Sequence, residues 1–197
     1  MNLGVAAILL AAGKSSRMGS CKQLLPLGET TVISRCLDTL QRGGVSIIVV
    51  VVSEGGQEVA KAAENGSALV VVNRERDGDM ASSVRTGRDA LGAGFSGVIV
   101  ALCDNPLVDP ATIESLVRQH AMFPDCIIAP RHQEYRGHPL LFARKILDEL
   151  EKGMTLRDLM RQDPARVQDA PVEDPGILID MDTPEDYARI CSMLHQP

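Results

Sequence analysis

Ile8-Leu9-Leu10-Ala11-Ala12-Gly13-Lys14-Ser15-Ser16-Arg17-Met18-Gly19, followed by Lys22, is the stretch that decides the fold. It opens as an apolar run and breaks at Gly13 into a loop of small residues carrying Arg17 and Lys22. Such a loop after a buried strand leaves backbone N–H groups free to face oxyanions, and fixed cations neutralise polyphosphate charge. A nucleoside triphosphate is the natural guest. Two well-known phosphate loops do not fit. A Walker A loop needs a glycine where Ile8 stands inside the strand. The dinucleotide fingerprint needs glycines where Ser15 and Met18 stand. From the residues alone, a turn that binds nothing remains the alternative.

Outward from the loop, Val- and Ile-rich runs alternate with segments of helical spacing. Val5–Leu10, Ile47–Val52, Leu69–Val72, Val98–Leu102 and Ile127–Ala129 read as buried parallel strands. Thr31–Gln41, Glu58–Ala63, Ala81–Leu91 and Pro110–Ala121 read as helices, the last with Asp109 as N-cap and Pro110 in its first turn. This alternation predicts a Rossmann-like α/β fold, a mostly parallel sheet with helices on both faces and a site at the carboxyl ends of its strands. Both Gly13 and Asp104 fall at such ends. After Arg131 the pattern changes: Glu134–Phe142 reads as a small extended arm, Arg144–Lys152 and Met154–Arg161 as helices. Val167–Val172 and Ile177–Ile179 read as short strands, and Thr183–Leu194 as a closing helix capped by Thr183. With no repeat or linker, residues 1–197 are expected to form a single domain.

The composition narrows the function. Aromatic residues make up only 3%, with no Trp, which opposes a base-stacking platform for single-stranded nucleic acid. A net charge of −6 opposes general binding to nucleic acid or an anionic membrane, so a phosphate site must be a local basic pocket. Five cysteines without a C-x-x-C pair suit a reduced, cytoplasmic setting better than a disulfide framework. The apolar Leu3–Leu10 run has no basic segment before it and is not expected to be a signal peptide.

Further candidates come from isolated constellations. Asp104 follows the apolar run 98–103 and precedes Asn105-Pro106; it is placed either to hold Mg²⁺ or to cap the next segment. Asp180 and Asp182 in Asp180-Met181-Asp182-Thr183-Pro184 would share one face of a strand, or Asp182 would merely precede a helix. Asn73 to Ser83, with Ser82 and Ser83 at a helix start of small residues, would let a base lie close to the backbone. Arg136-Gly137-His138-Pro139-x-x-Phe142 offers His138 either as an acceptor-side group or as a turn residue. No zinc spacing and no Gly-x-Ser-x-Gly elbow is present.

The pattern Leu10-Ala11-Ala12-Gly13-x-Ser15-x-Arg17-Met18-Gly19-x-x-Lys22 closely resembles the signature loop of the MobA-like nucleotidyltransferases. These include the molybdenum cofactor cytidylyl- and guanylyltransferases, with sugar-nucleotide pyrophosphorylases as distant relatives. The resemblance runs along essentially the whole chain and implies the nucleotide-diphospho-sugar transferase fold. It implies that Asp104, in a segment similar to the family's strand ending in Asp-x-Pro, ligates Mg²⁺. It implies that Asp182, ahead of Asp180, approaches the same metal. Arg17 and Lys22 are implied as catalytic cations on the triphosphate. Leu10, Ala11, Ala12, Gly13, Asn73, Ser82 and Ser83 are implied in nucleotide binding, although Asp79 interrupts the family's Gly-Met-Ser-x-Ser segment. Gly137-His138-Pro139-x-x-Phe142 is similar to the acceptor-side segment and gives His138 a catalytic or orienting role there. Ala12 implies CTP before GTP, because the guanylyl branch tends to carry Leu-Ala-Gly-Gly. The implied partners are the NTP, a molybdopterin-type acceptor and a molybdenum hydroxylase apoenzyme as recipient. The alternatives are a sugar- or alditol-phosphate nucleotidyltransferase and a noncatalytic molybdenum cofactor carrier or insertion chaperone. A carrier would have no need of a metal–triphosphate site.

Overall fold

A computed structural model describes residues 4–13, 18–75 and 78–194. In chain order these form β1 (Val5–Leu10), a small ribbon of β2 (Pro26–Leu27) and β3 (Thr30–Thr31), α1 (Val32–Arg42), β4 (Ile48–Ser53) and α2 (Gln57–Asn65). Next come β5 (Leu69–Asn73), α3 (Met80–Leu91), β6 (Gly97–Leu102) and α4 (Pro110–Met122). The remainder is β7 (Ile127–His132), β8 (Tyr135–Arg136), β9 (Leu140–Ala143), α5 (Arg144–Asp148), α6 (Leu156–Gln162), β10 (Val167–Pro171) and α7 (Pro184–Leu194). Among the described residues no helix is long and apolar enough to cross a membrane.

The main sheet has eight strands in the order β10-β7-β9-β6-β1-β4-β5, with β8 paired to β7. β1 lies at its heart, parallel to β4 and β6. Alternation along each strand sends side chains to two separate cores. Ala7, Leu9, Val50 and Ile99 face a core shared with Ile33 and Leu37 of α1 and Leu116 of α4. Ala6, Ile8, Val49 and Val98 face a second core shared with Val84 of α3, Ile146 of α5 and Leu159 of α6. Apolar residues on both faces explain why these strands read as continuous hydrophobic runs.

Helix starts follow local chemistry. Thr31, Asp79 and Asp109 each accept a backbone N–H at the first turn of α1, α3 and α4. Thr155 and Asp158 form a reciprocal capping box at α6. At α7, Thr183 Oγ1 accepts from the Asp186 N–H while the Asp186 carboxylate accepts from the Thr183 N–H.

Three expectations change. The stretch expected as an extended arm is extended only in part, and Leu140–Ala143 runs inside the main sheet, antiparallel to both β6 and β7. All four of its residues are buried, as a tetrapeptide of Leu, Leu, Phe and Ala requires. Residues Pro175–Leu178 form a 3₁₀ turn where Ile177–Ile179 reads as a strand. A Cβ at Gly176 would overlap the Leu107 carbonyl, so the backbones touch there, and the Ile177 carbonyl accepts from His138 N–H at 3.0 Å. Asp180 and Asp182 accordingly lie on an irregular segment, not on a strand.

Candidate active site

The parallel strands deliver their carboxyl ends to one rim, and a cavity of about 440 Å³ opens there. It is lined by Leu10, Ala12 and Gly13 around the end of β1, by Ser53, Glu54 and Gly55 around the end of β4, and by Asn73, Arg74 and Glu75 around the end of β5. Gly78 to Met80, Ser83, Leu102 and Asp104 complete it. Gln23, almost fully buried, donates through Nε2 to the carbonyls of Ala11 and Gly13, both at 3.1 Å, and so fixes the start of the loop. Lys14, Ser15, Ser16 and the expected triphosphate cation Arg17 lie outside the described residues.

At one end of this rim, Lys22 joins two carboxylates distant in sequence. Its Nζ donates to Asp104 Oδ2 at 2.9 Å, to Asp182 Oδ1 at 3.2 Å and to the Met181 carbonyl at 3.0 Å. Burial works against the ammonium, but hydrogen bonds and attraction from Asp104, then Asp182, outweigh it and raise its pKa. The segment bearing Asp182 is stitched to the end of β6. Met181 N–H donates to the Asp104 carbonyl at 2.8 Å, and the Met181 side chain is fully buried. Asn105 Nδ2 donates to the Ile179 carbonyl at 3.1 Å and to Asp180 Oδ1 at 2.6 Å. Asp182 thus meets Asp104 through Lys22, while Asp180 is engaged by Asn105.

The second oxygen of Asp104, Oδ1, is buried and has no hydrogen-bond partner among the described residues. An orphaned carboxylate oxygen beside another carboxylate is an oxygen-only donor set suited to a hard divalent cation. The residues therefore fit Mg²⁺ or a similar ion, with the remaining positions left to triphosphate and water. No group of three or more His, Cys, Asp or Glu side chains capable of holding a metal occurs among the described residues.

Asn73 and the two serines form a clasp. Asn73 Nδ2 donates to Ser82 Oγ at 2.8 Å and to Ser83 Oγ at 2.9 Å, while its Oδ1 accepts from the Glu75 N–H at 3.0 Å. Ser82 Oγ donates to the Asp79 carbonyl at 2.8 Å. The Asn73 amide is consumed in shaping the 73–83 loop, and Ser83 rather than Ser82 lines the cavity. The Asp79 that interrupts the expected Gly-Met-Ser segment caps α3, its carboxylate accepting from Ser82 N–H at 2.7 Å.

His138 enters from the start of β9, at the same rim because β9 runs antiparallel. Its Nδ1 is buried without a hydrogen-bond partner among the described residues. Burial pushes the imidazole below its ordinary pKa, opposed by the negative charge of Asp180 and Asp104. It therefore stands neutral beside the carboxylate end of the site.

Sequence reasoning passed over Ser53-Glu54-Gly55 and Gln23. The first was accessible, since the rim of a parallel sheet takes its lining from every strand end, β4 included. The second carried no local signal, because Gln23 acts through tertiary contacts with Ala11 and Gly13.

Residues 7–167 match the MobA-like NTP transferase domain. The chain belongs to that family. Nicotine blue oxidoreductase of Paenarthrobacter nicotinovorans is 28% identical, over 94% of this chain and 96% of that protein. The bifunctional protein GlmU of Sinorhizobium medicae is 35% identical over 55% of this chain, and the chain spans only 25% of that protein's length. Rv0371c of Mycobacterium tuberculosis superposes with a TM-score of 0.81 at 28% identity, covering 98% of this chain and 99% of that one. Rv0371c has also been crystallised with manganese. A nucleotidyl transferase from Methanothermobacter gives a TM-score of 0.84 at 26% identity, covering 96% and 97%.

Proposed function

We propose that this member of the MobA-like family is a divalent-metal-dependent nucleotidyltransferase, a single unit that moves a nucleoside monophosphate from an NTP to a phosphorylated acceptor. The observation that carries this reading is the meeting of Lys22, Asp104 and Asp182 at one end of a nucleoside-sized cavity. The manganese complex of Rv0371c supports a divalent ion in this family. Such an ion, bound by Asp104 and Asp182, would neutralise phosphate charge and polarise the phosphorus under attack.

The chain's own residues do the rest. Ala12 and Gly13 bring backbone against the nucleotide, with Leu10 and Leu102 as apolar wall. Lys22 and Arg17 offset charge on the departing pyrophosphate. His138, neutral at the acceptor edge, orients the incoming phosphate. An acceptor phosphate oxygen forms the new bond to the α-phosphorus as the α–β bridging bond breaks, and pyrophosphate leaves with the electron pair. No covalent enzyme intermediate is needed, so the protein contributes positioning and electrostatics. Ala12 favours CTP over GTP, and the acceptor is of the molybdopterin type, delivered onward to a molybdenum hydroxylase apoenzyme.

Two competing activities remain to be separated: transfer to a sugar- or alditol-phosphate acceptor, and a redox role that the match to an oxidoreductase along 94% of the chain puts in view. Incubating the protein with each NTP, Mg²⁺, and either molybdopterin or a sugar 1-phosphate separates them. The expected result is pyrophosphate release with CTP and molybdopterin. Release only with the sugar phosphate would replace the acceptor. Redox turnover of nicotine blue without pyrophosphate release from any NTP would overturn the transferase reading.

A further inference from the structure

Lys22 raises a conflict within the site. As a triphosphate cation it should face the nucleotide, yet its ammonium is 2.9 Å from Asp104 Oδ2 and 3.2 Å from Asp182 Oδ1. These are the two carboxylates that fit a divalent ion. A metal ion binds carboxylate oxygens at about 2.0–2.6 Å, so it and the ammonium compete for the same lone pairs. The ammonium leaves Asp104 Oδ1 buried and without a hydrogen-bond partner among the described residues, an oxygen that a divalent ion would take up.

We propose that Lys22 is an exchangeable internal counter-ion: it clamps Asp104 and Asp182 together, and metal binding at these carboxylates releases it towards the triphosphate. The proposal rests on the metal reading given above and goes beyond it, because it makes metal uptake and delivery of the cation one event. The side chain is suited to both positions. Lysine is a compact point charge on a flexible stem, and it reaches the carboxylates from a 3₁₀ turn, Lys22–Leu24, that Gln23 anchors to the loop. Metal and nucleotide binding are then coupled, since an ion arriving without nucleotide must displace an ammonium that has no phosphate to receive it.

Mn²⁺ binding by electron paramagnetic resonance, without nucleotide, tests the exchange in the wild type and in Lys22→Met. The expected result is tighter Mn²⁺ binding in Lys22→Met, on the order of tenfold, because the competing cation is gone and ligand charge sets affinity. Acetylation of Lys22 by acetic anhydride, followed by mass spectrometry in the wild type, needs no variant. It should be slow alone, rise on Mn²⁺ saturation and fall when a non-hydrolysable CTP analogue is added. Equal Mn²⁺ affinity in both proteins, with Lys22 labelling indifferent to Mn²⁺, would overturn the exchange and leave the metal reading intact. Failure of both proteins to bind Mn²⁺, with or without nucleotide, would overturn both.

Discussion

Asp104 carries opposite demands on its two oxygens, one held by Lys22 and the other buried without a hydrogen-bond partner among the described residues. Asp104→Asn keeps the shape and removes the charge. Turnover, read as pyrophosphate release, should fall about a hundredfold or more, as loss of a needed electrostatic group does. Activity above about a tenth of wild type would take Asp104 out of the metal site. Asp182→Ala should raise the magnesium requirement more than Asp180→Ala, because Asp180 accepts from Asn105 while Asp182 joins Asp104 at Lys22. Magnesium titration of both variants is the check, and a larger defect in Asp180→Ala would reverse the assignment. His120 offers a test away from the site. It lies buried with Nε2 3.1 Å from Ser96 Oγ and Nδ1 unpartnered among the described residues. Burial lowers its pKa below 6.5, against weaker opposing effects from Asp125 and Ser96. Below about pH 6.5 the unfolded chain takes up the proton before the folded one, so stability should fall as pH drops through that value. His120→Gln should flatten the dependence of melting temperature on pH between about 7 and 5; an unchanged slope would acquit His120.

At the scale of elements, the turn from β5 into α3 shows how local chemistry builds a binding wall. A single amide, Asn73, holds Ser82, Ser83 and the Glu75 backbone at once, and Asp79 closes the helix start. Asn73→Ala should raise the KM for NTP several-fold while leaving Mn²⁺ affinity unchanged, because the clasp shapes the nucleoside side and does not touch Asp104 or Lys22. Matched loss of both would mean a general collapse of the rim. That residues of this loop come together beside Gly13 and Asp104 was legible in the sequence, but the internal commitment of Asn73 was not. The strands were legible because both their faces are apolar, and the caps because Thr31, Asp79 and Asp109 act on their own neighbours. The turn at Pro175–Leu178 was not, since its conformation answers to the Leu107 backbone far away in sequence.

At the scale of the molecule, what sequence could not supply was the bond between ends: Lys22 to Asp182, or Gln23 to Ala11, needs the assembled sheet. The same holds for β9, whose position follows from partners on either side. β1, β4, β5 and β6 with α1 to α3 form a continuous run of chain from residue 5 to 102 that pairs within itself. β7 precedes β9 in sequence, yet it joins that sheet only through β9. The β7–β9 seam has two paired positions, Ile127 with Phe142 and Ile128 with Leu141, against four between β9 and β6. β7, β8 and β10 are therefore expected to open as one cooperative unit, at lower free energy than β1, β4 and β6. Native-state hydrogen exchange should show β7 and β10 amides sharing an opening step that leaves β1 protected; one common opening energy across all strands would contradict it. Because His138 sits on the connection between β8 and β9, opening of this seam would loosen the edge proposed for the acceptor while the cavity over β1, β4 and β5 stays in place.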